Sequence, residues 1–215
     1  MCNSISVVAE ASELIQQFKL DHVLFYTSNR YEINPTQSVS AIITRKDERV
    51  LDEFRWGLMP FWAKDSIWAD SGSLLDKRAF RRILQKQRCI IPCSGYFVSQ
   101  MEGKRKVWIK FTPKSGSFGI AGLYDVWRSA SGDELRTCTM LTTEANRVVS
   151  PYHHRMPAIM DQERTDQWLQ PGLKDPLALQ ALLSLPDHEA MVSIQLTSPE
   201  QKLEADLALP EPGWA

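Results

Sequence analysis

Apolar residues in this chain recur in short β-branched runs rather than along long helical stripes. SVSAIITR, RCIIPC, KVWIKF, SFGIAGL, TCTMLTT, MPAIM and AMVSIQL all read as half-buried or buried strands. Helical spacing is rarer. Over residues 9–19 it places Leu14, Ile15 and Phe18 on one face. Further helices are expected over 74–86, over 162–169 and from Pro176, where a proline's missing N–H has no helical partner to lose. Pro60, Gly72, Gly95, Gly103, Gly116, Gly132 and Pro186 punctuate the runs. Strands outnumber helices and no regular βαβ unit repeats. The expected fold is therefore α+β, a β-rich core of curved mixed or antiparallel sheet with peripheral helices. No repeat, low-complexity tract or linker interrupts it, so residues 1–215 are expected to form a single domain with an acidic, partly irregular C-terminal segment over about 200–215.

Charge changes this picture by its distribution. The net charge is −1, which by itself disfavours a nucleic-acid binder. Yet residues 156–215 carry three Lys/Arg against ten Asp/Glu, while residues 1–155 carry 22 against 16. The densest basic stretch, KRAFRRILQKQR, holds Lys77, Arg78, Arg81, Arg82, Lys86 and Arg88. It reads either as a solvated helix face or as a surface that tracks a phosphate backbone. No run approaches the roughly 18 apolar residues of a membrane span. The start, MCNSISVVAEASEL, lacks a basic n-region and a long apolar core, so a soluble cytoplasmic protein is expected. Cys89 and Cys93 sit four positions apart in an extended run, about 13 Å from one another, too far to share one metal. They read as buried inert thiols.

Three features can carry chemistry. Cys2, once Met1 is removed, is a terminal 1,2-aminothiol. Its amine and thiol have reference pKa values near 7.7–8.0 and 8.5, so both reactive forms exist near pH 7. An aldehyde can form an imine with the amine, which the thiol closes into a thiazolidine. PYHHRMP (151–157) offers His153 or His154 as an acid or base, and the two are expected to point in different directions. Arg155 in the same segment suits bidentate phosphate binding. Trp56 and Trp62, in RWGLMPFWAKD, either stack on bases of a single strand or pack in the core. No Walker loop, dinucleotide fingerprint, HExxH or G-x-S-x-G motif is present.

Taken in order, these segments resemble the SOS-response-associated peptidase family, also called abasic site processing proteins. MC opens the chain. RYEINPTQ (30–37) is similar to RYNxAPxQ, and RWGLMPFWAKD (55–65) to RWGLxPxWAKD. KRAFRRILQKQRCIIPCSGYF (77–97) resembles K-x-A-F followed by RCLIPAxGFYEW, and AGLYDVW (121–127) resembles AGLWExW. TMLTTEAN followed by HHRMP resembles TxLTTxAN followed by HDRMP. The resemblance implies a compact α+β fold whose groove binds single-stranded DNA and ends at the N-terminal cysteine. It implies that Cys2 is the covalent nucleophile at abasic sites, that His153 is the acid–base histidine, and that Arg155 grips a phosphate with Thr142 nearby. Trp62, Trp68 and Arg78 complete the expected DNA contacts. The expected protein is a monomer that needs no metal or organic cofactor.

The chain also departs from the family pattern. Asn3 and Ser4 replace the family's Gly-Arg after MC, and Glu32 replaces the asparagine of RYN. Trp68-Ala69-Asp70-Ser71-Gly72-Ser73 stands where the family has NARxET, which removes a DNA-binding arginine and puts Asp70 there. Val98 occupies the position of the proton-shuttling glutamate, and His154 that of the aspartate in HDRMP. A carboxylate in an arginine's place weakens phosphate binding. A lost acid–base group slows proton transfer by about 10²–10⁴-fold. The expectation is a slow or altered crosslinker, with Glu32 as a substitute catalytic carboxylate. The alternatives are a non-covalent DNA- or partner-binding module, or a Cys–His thiol peptidase.

Overall fold

The computed structural model describes residues 4–59, 63, 65–114, 116–183, 191–196 and 201. Cys2, Trp62 and, apart from Gln201, the segment 200–215 lie outside the described residues. In chain order the elements are β1 (Ser4–Val7), α1 (Ala11–Phe18), β2 (His22–Val23), β3 (Arg30–Ile33), β4 (Ser38–Arg45) and β5 (Glu48–Trp56). There follow β6 (Trp68–Asp70), a 3₁₀ turn (Ser71–Ser73), α2 (Arg78–Lys86), β7 (Arg88–Cys93), β8 (Gly95–Glu102), β9 (Arg105–Pro113) and β10 (Phe118–Arg128). The last are β11 (Glu134–Glu144), β12 (Arg155–Pro157), β13 (Ile159–Met160), α3 (Gln162–Leu169), α4 (Pro176–Ala181) and β14 (Met191–Leu196).

The fold is α+β and dominated by mixed, curved sheet. One sheet runs β12-β11-β10-β7-β4-β5-β2. Its neighbours from β11 to β5 are antiparallel, but β5 also pairs with β11 in parallel, Thr137 opposite Arg55 and Cys138 opposite Trp56. This pairing joins β5-β4-β7-β10-β11 into a closed five-strand ring and removes two strand edges. A second sheet, β14-β9-β8-β1-β3, is antiparallel throughout.

Alternation along the strands explains the layering, because successive side chains face opposite ways. Ala41 and Ile43, Cys89, Ile91 and Cys93, and Cys138 and Met140 face a core shared with Ile5, Tyr96, Ile109 and Phe111 of the second sheet. The intervening Ile42, Ile90, Ala121 and Leu141 pack under Leu14 and Phe18 of α1, Leu84 of α2, Trp168 of α3 and Leu179 of α4. Both faces of the ring are covered, which is why RCIIPC is apolar without alternation.

Three expectations need correction. Ile15 is 41% exposed, because α1 turns only Leu14 and Phe18 inward. The second helix begins at Arg78 rather than 74, since Asp70 caps a separate 3₁₀ turn by accepting from Gly72 N–H at 2.9 Å. MPAIM is split: Met156 and Pro157 pair with β11 and Ile159 and Met160 with β10. Ala158 bridges them, donating to Leu141 O at 2.8 Å and accepting from Ala121 N–H at 2.9 Å. Cys89, Cys93 and Cys138 are free thiols and fully buried, as their strand setting predicts.

Candidate functional site

β11 organises the candidate site. Thr142, near its end, pairs with Pro157 of β12 on one edge and with Asp70 of β6 on the other. β12 runs antiparallel to β11, so Arg155 falls opposite Glu144. From there its side chain reaches back across β11. Arg155 Nη2 donates to Thr142 O at 2.6 Å and to Thr142 Oγ1 at 3.3 Å, and forms an ion pair with the Asp70 carboxylate. Thr142 Oγ1 donates in turn to Ala69 O at 3.4 Å. Three strands thus present one arginine, one threonine and one carboxylate at a single spot.

A tight turn delivers His153 to the same place. Asn146 Oδ1 accepts from Val148 N–H at 3.1 Å and Val149 N–H at 3.0 Å, starting a turn in the way asparagine favours. Val149 O accepts from Tyr152 and His153 N–H, and Ala145 N–H donates to His154 O at 3.0 Å. Tyr152 anchors the turn by meeting Phe111 edge to face, with ring centres 5.7 Å apart.

The His153 ring is half-buried, and burial pulls its pKa below 6.5, opposed by the hydrogen bond to the Arg155 backbone. Nδ1 lies 2.9 Å from both Arg155 N and Arg155 O. An unprotonated Nδ1 accepts from the N–H, and a protonated one donates to the carbonyl. The ring therefore stays tethered in either protonation state. Its Nε2 makes no hydrogen bond among the described residues. The expectation that the two histidines diverge is not met: their rings stack, 4.4 Å between centres and 24° between planes. The turn is irregular, so strand alternation does not apply to it.

Glu32, exposed on β3, accepts from Ser4 Oγ at 2.9 Å, which sets its carboxylate at the start of β1. Among the described residues no hydrogen bond joins it to His153. Val98 is 2% exposed within the shared core, so no polar group enters the site from that position.

Trp68 and Trp56 are both buried, at 6% and 0% exposure, and meet edge to face with centres 5.3 Å apart. Trp56 Nε1 donates to Ile67 O at 3.0 Å. Trp68 Nε1 and Asn146 Nδ2 are buried without a hydrogen-bond partner among the described residues. Neither ring offers an open face for a base.

The basic stretch also divides. Arg88 is 7% exposed and donates to Trp168 O (2.6 Å), Leu84 O (2.8 Å) and Gln170 O (2.7 Å). Lys77 pairs with Asp65. Arg78, Arg81, Arg82 and Lys86 remain, all exposed on one face of α2 and free of ion pairs among the described residues. No cluster of three or more His, Cys, Asp or Glu suited to a metal exists among the described residues. No described helix is long and apolar enough to cross a membrane. Sequence reasoning missed the Asp70–Arg155 pair and Ser4 as Glu32's partner. Asp70 was visible as a departure from a motif, but its partner lies 85 positions away.

The chain matches the SOS response associated peptidase (SRAP) model over residues 1–199. It is 35% identical over 210 residues to abasic site processing protein YoqW of Bacillus subtilis, covering 92% of this chain and 93% of that protein. It is 34% identical over 210 residues to abasic site processing protein YoaM of the same organism, covering 92% of each. A crystal structure of a protein from Bacteroides thetaiotaomicron superposes with a TM-score of 0.73 at 29% identity, covering 90% of both chains. With a family match along nearly its whole length, this chain belongs to the SOS response associated peptidase (SRAP) family.

Proposed function

We propose that this chain recognises abasic sites in single-stranded DNA and bonds to them covalently through Cys2 after loss of Met1. The Cys2 amine condenses with the ring-opened sugar aldehyde, releasing water and leaving an imine. The thiol then adds across the C=N bond and its proton passes to nitrogen, giving a thiazolidine. Relatives named as abasic site processing proteins support the substrate class.

The observation that carries the reading is His153: tethered through Nδ1 in both protonation states, it has Nε2 without a hydrogen bond among the described residues and able to give or take a proton. Two residues of chain span at most about 7 Å, so the start of β1, beside the Glu32 carboxylate, bounds the reach of Cys2. Glu32 is the second acid–base group. Arg155 and Thr142 receive a phosphate beside the lesion, and Arg78 with the other exposed cations of α2 tracks the strand. Trp62 and Trp68 are the candidate base contacts, and Trp68 requires its pocket to open first.

The test is a denaturing gel of the protein incubated with single-stranded DNA bearing one abasic site, with Cys2→Ala alongside. Intact-mass analysis reports Met1. A shifted band that depends on Cys2 supports the reading, and its absence from Met1-free protein overturns it. The apolar Val98 and the ion-paired Arg155 favour a second reading, non-covalent DNA binding on the same scaffold. That reading predicts retention on a native gel and none on a denaturing one.

A further inference from the structure

A guanidinium grips a phosphate best with two parallel N–H donors. It has two such edges, one formed by Nε and Nη2 and the other by Nη1 and Nη2, so Nη2 belongs to both. In this chain Nη2 of Arg155 is committed, to Thr142 O at 2.6 Å and to the Asp70 carboxylate. Neither Nε nor Nη1 makes a hydrogen bond among the described residues, yet without Nη2 they offer no two-donor edge. Asp70 is held in place independently. Its Oδ1 also accepts from Gly72 N–H, its backbone pairs with Thr142 across β6 and β11, and Gln180 Nε2 binds Ser71 O at 2.9 Å beneath the 3₁₀ turn.

We infer that Asp70 is a built-in anion occupying the phosphate seat of Arg155, so DNA engages that seat only by displacing it. The inference rests on the proposed reading of Arg155 as a phosphate contact. Asp70 touches no substrate and acts through Arg155 as a positioning residue. It sets a specificity: a strand whose contacts elsewhere are strong enough to displace the carboxylate is held, and an ordinary single strand is held weakly.

The test uses the full chain and a fluorescent single-stranded oligonucleotide without an abasic site, with anisotropy read at several salt concentrations. Asp70→Asn keeps the shape and an acceptor for Gly72 N–H while removing the charge. Asp70→Ser keeps a cap for the 3₁₀ turn and withdraws the carboxylate altogether. Both are expected to tighten binding by about tenfold at low salt, the scale of one charge-assisted hydrogen bond. The log–log salt slope should steepen by about 0.7, the value of one further phosphate on a single strand. Arg155→Ala should weaken binding several-fold more in the Asp70→Asn background than in the wild type. A merely structural role for Asp70 would move neither the slope nor this coupling. Unchanged affinity in both Asp70 variants, or an equal loss on Arg155→Ala in both backgrounds, overturns the inference. Undetectable binding in all variants overturns it as well. Crosslinking to an abasic strand is scored separately. Its loss with the coupling intact overturns the covalent reading alone, and its presence without the coupling overturns this inference alone.

Discussion

Replacing Arg88 by methionine removes a cation that ties two helix ends to the ring of strands. Arg88 opens β7, and its three nitrogens bind carbonyls at the end of α2 (Leu84) and the end of α3 (Trp168 and Gln170). The guanidinium lies 5.9 Å from the Trp168 ring centre. Among the described residues Arg88 has no ion pair with a carboxylate; its positive charge answers the partial negative charge of two helix C-termini. Methionine fills similar space but donates nothing. Gln170 is exposed and its carbonyl can turn to water, whereas Leu84 and Trp168 are fully buried. Two orphaned buried carbonyls cost about 1–3 kcal/mol each. Part of this returns because the guanidinium is no longer desolvated, the same burial that lowers its pKa. The expected net loss is about 2–4 kcal/mol, which with a urea slope near 2 kcal/mol/M lowers the midpoint by about 1–2 M. Arg82→Met, on the exposed face of α2, should stay within about 0.5 kcal/mol. A midpoint for Arg88→Met within about 0.3 M of wild type, at the same slope, would refute the reasoning and make the three hydrogen bonds energetically idle.

Other outcomes follow from the same geometry. Because the folded-state pKa of His153 lies below 6.5, the folded chain binds fewer protons than the unfolded one just below that pH. Its contribution to stability is present above about pH 6.5 and is lost as the pH falls through the folded value. An NMR titration of the imidazole should place its midpoint below 6.5, and one above it would contradict the burial seen here. His153→Ala should slow crosslinking by about 10²–10⁴-fold in a quenched time course. Gly122→Ala would put a methyl 2.5 Å from Ile91 Cδ1, 2.8 Å from Thr139 O and 2.9 Å from Cys89 Sγ, a destabilisation of about 1–3 kcal/mol readable by thermal melting. Burial lifts Cys138 to about 12 and Cys89 well above the ordinary thiol. At pH 8 a maleimide should therefore leave Cys89 and Cys138 unmodified until urea is added, as read by peptide mass.

How much of this was legible in the sequence depended on whether a cause was local. β4 and β7 fall on SVSAIITR and RCIIPC, and α3 on 162–169, because β-branched runs and an aspartate cap with helical spacing act within a few residues. β5 went unread because ERVLDEFRW is charged. Its buried Asp52 is paired with Arg45 and Arg136, which reach it from β4 and β11. β8 was hidden by its polar second half, and β6 is three residues whose pairing with β11 no local pattern encodes. The site divides in the same way. His153, Arg155 and Thr142 stood out in motifs and do meet. Arg88 looked like one more cation of a basic helix, since nothing nearby in sequence announces two helix ends folding over it. Trp56 sat in a loop-like segment and Trp68 was read as a DNA contact, but Trp56 ends and Trp68 opens a strand beside β11, and both are buried there.

The parallel seam between β5 and β11 has a kinetic consequence. It joins segments roughly eighty residues apart, so the entropy of closing that loop is overcome only late, after neighbouring hairpins such as β4–β5 and β10–β11 have formed. β6 lies just beyond β5 and docks on the same edge of β11, so Asp70 meets Thr142 and Arg155 only once the seam has zipped. The anion seat is thus expected to mature after those hairpins. During refolding it reports completion of the ring, and a chain stalled before that step carries Arg155 uncovered by its own carboxylate.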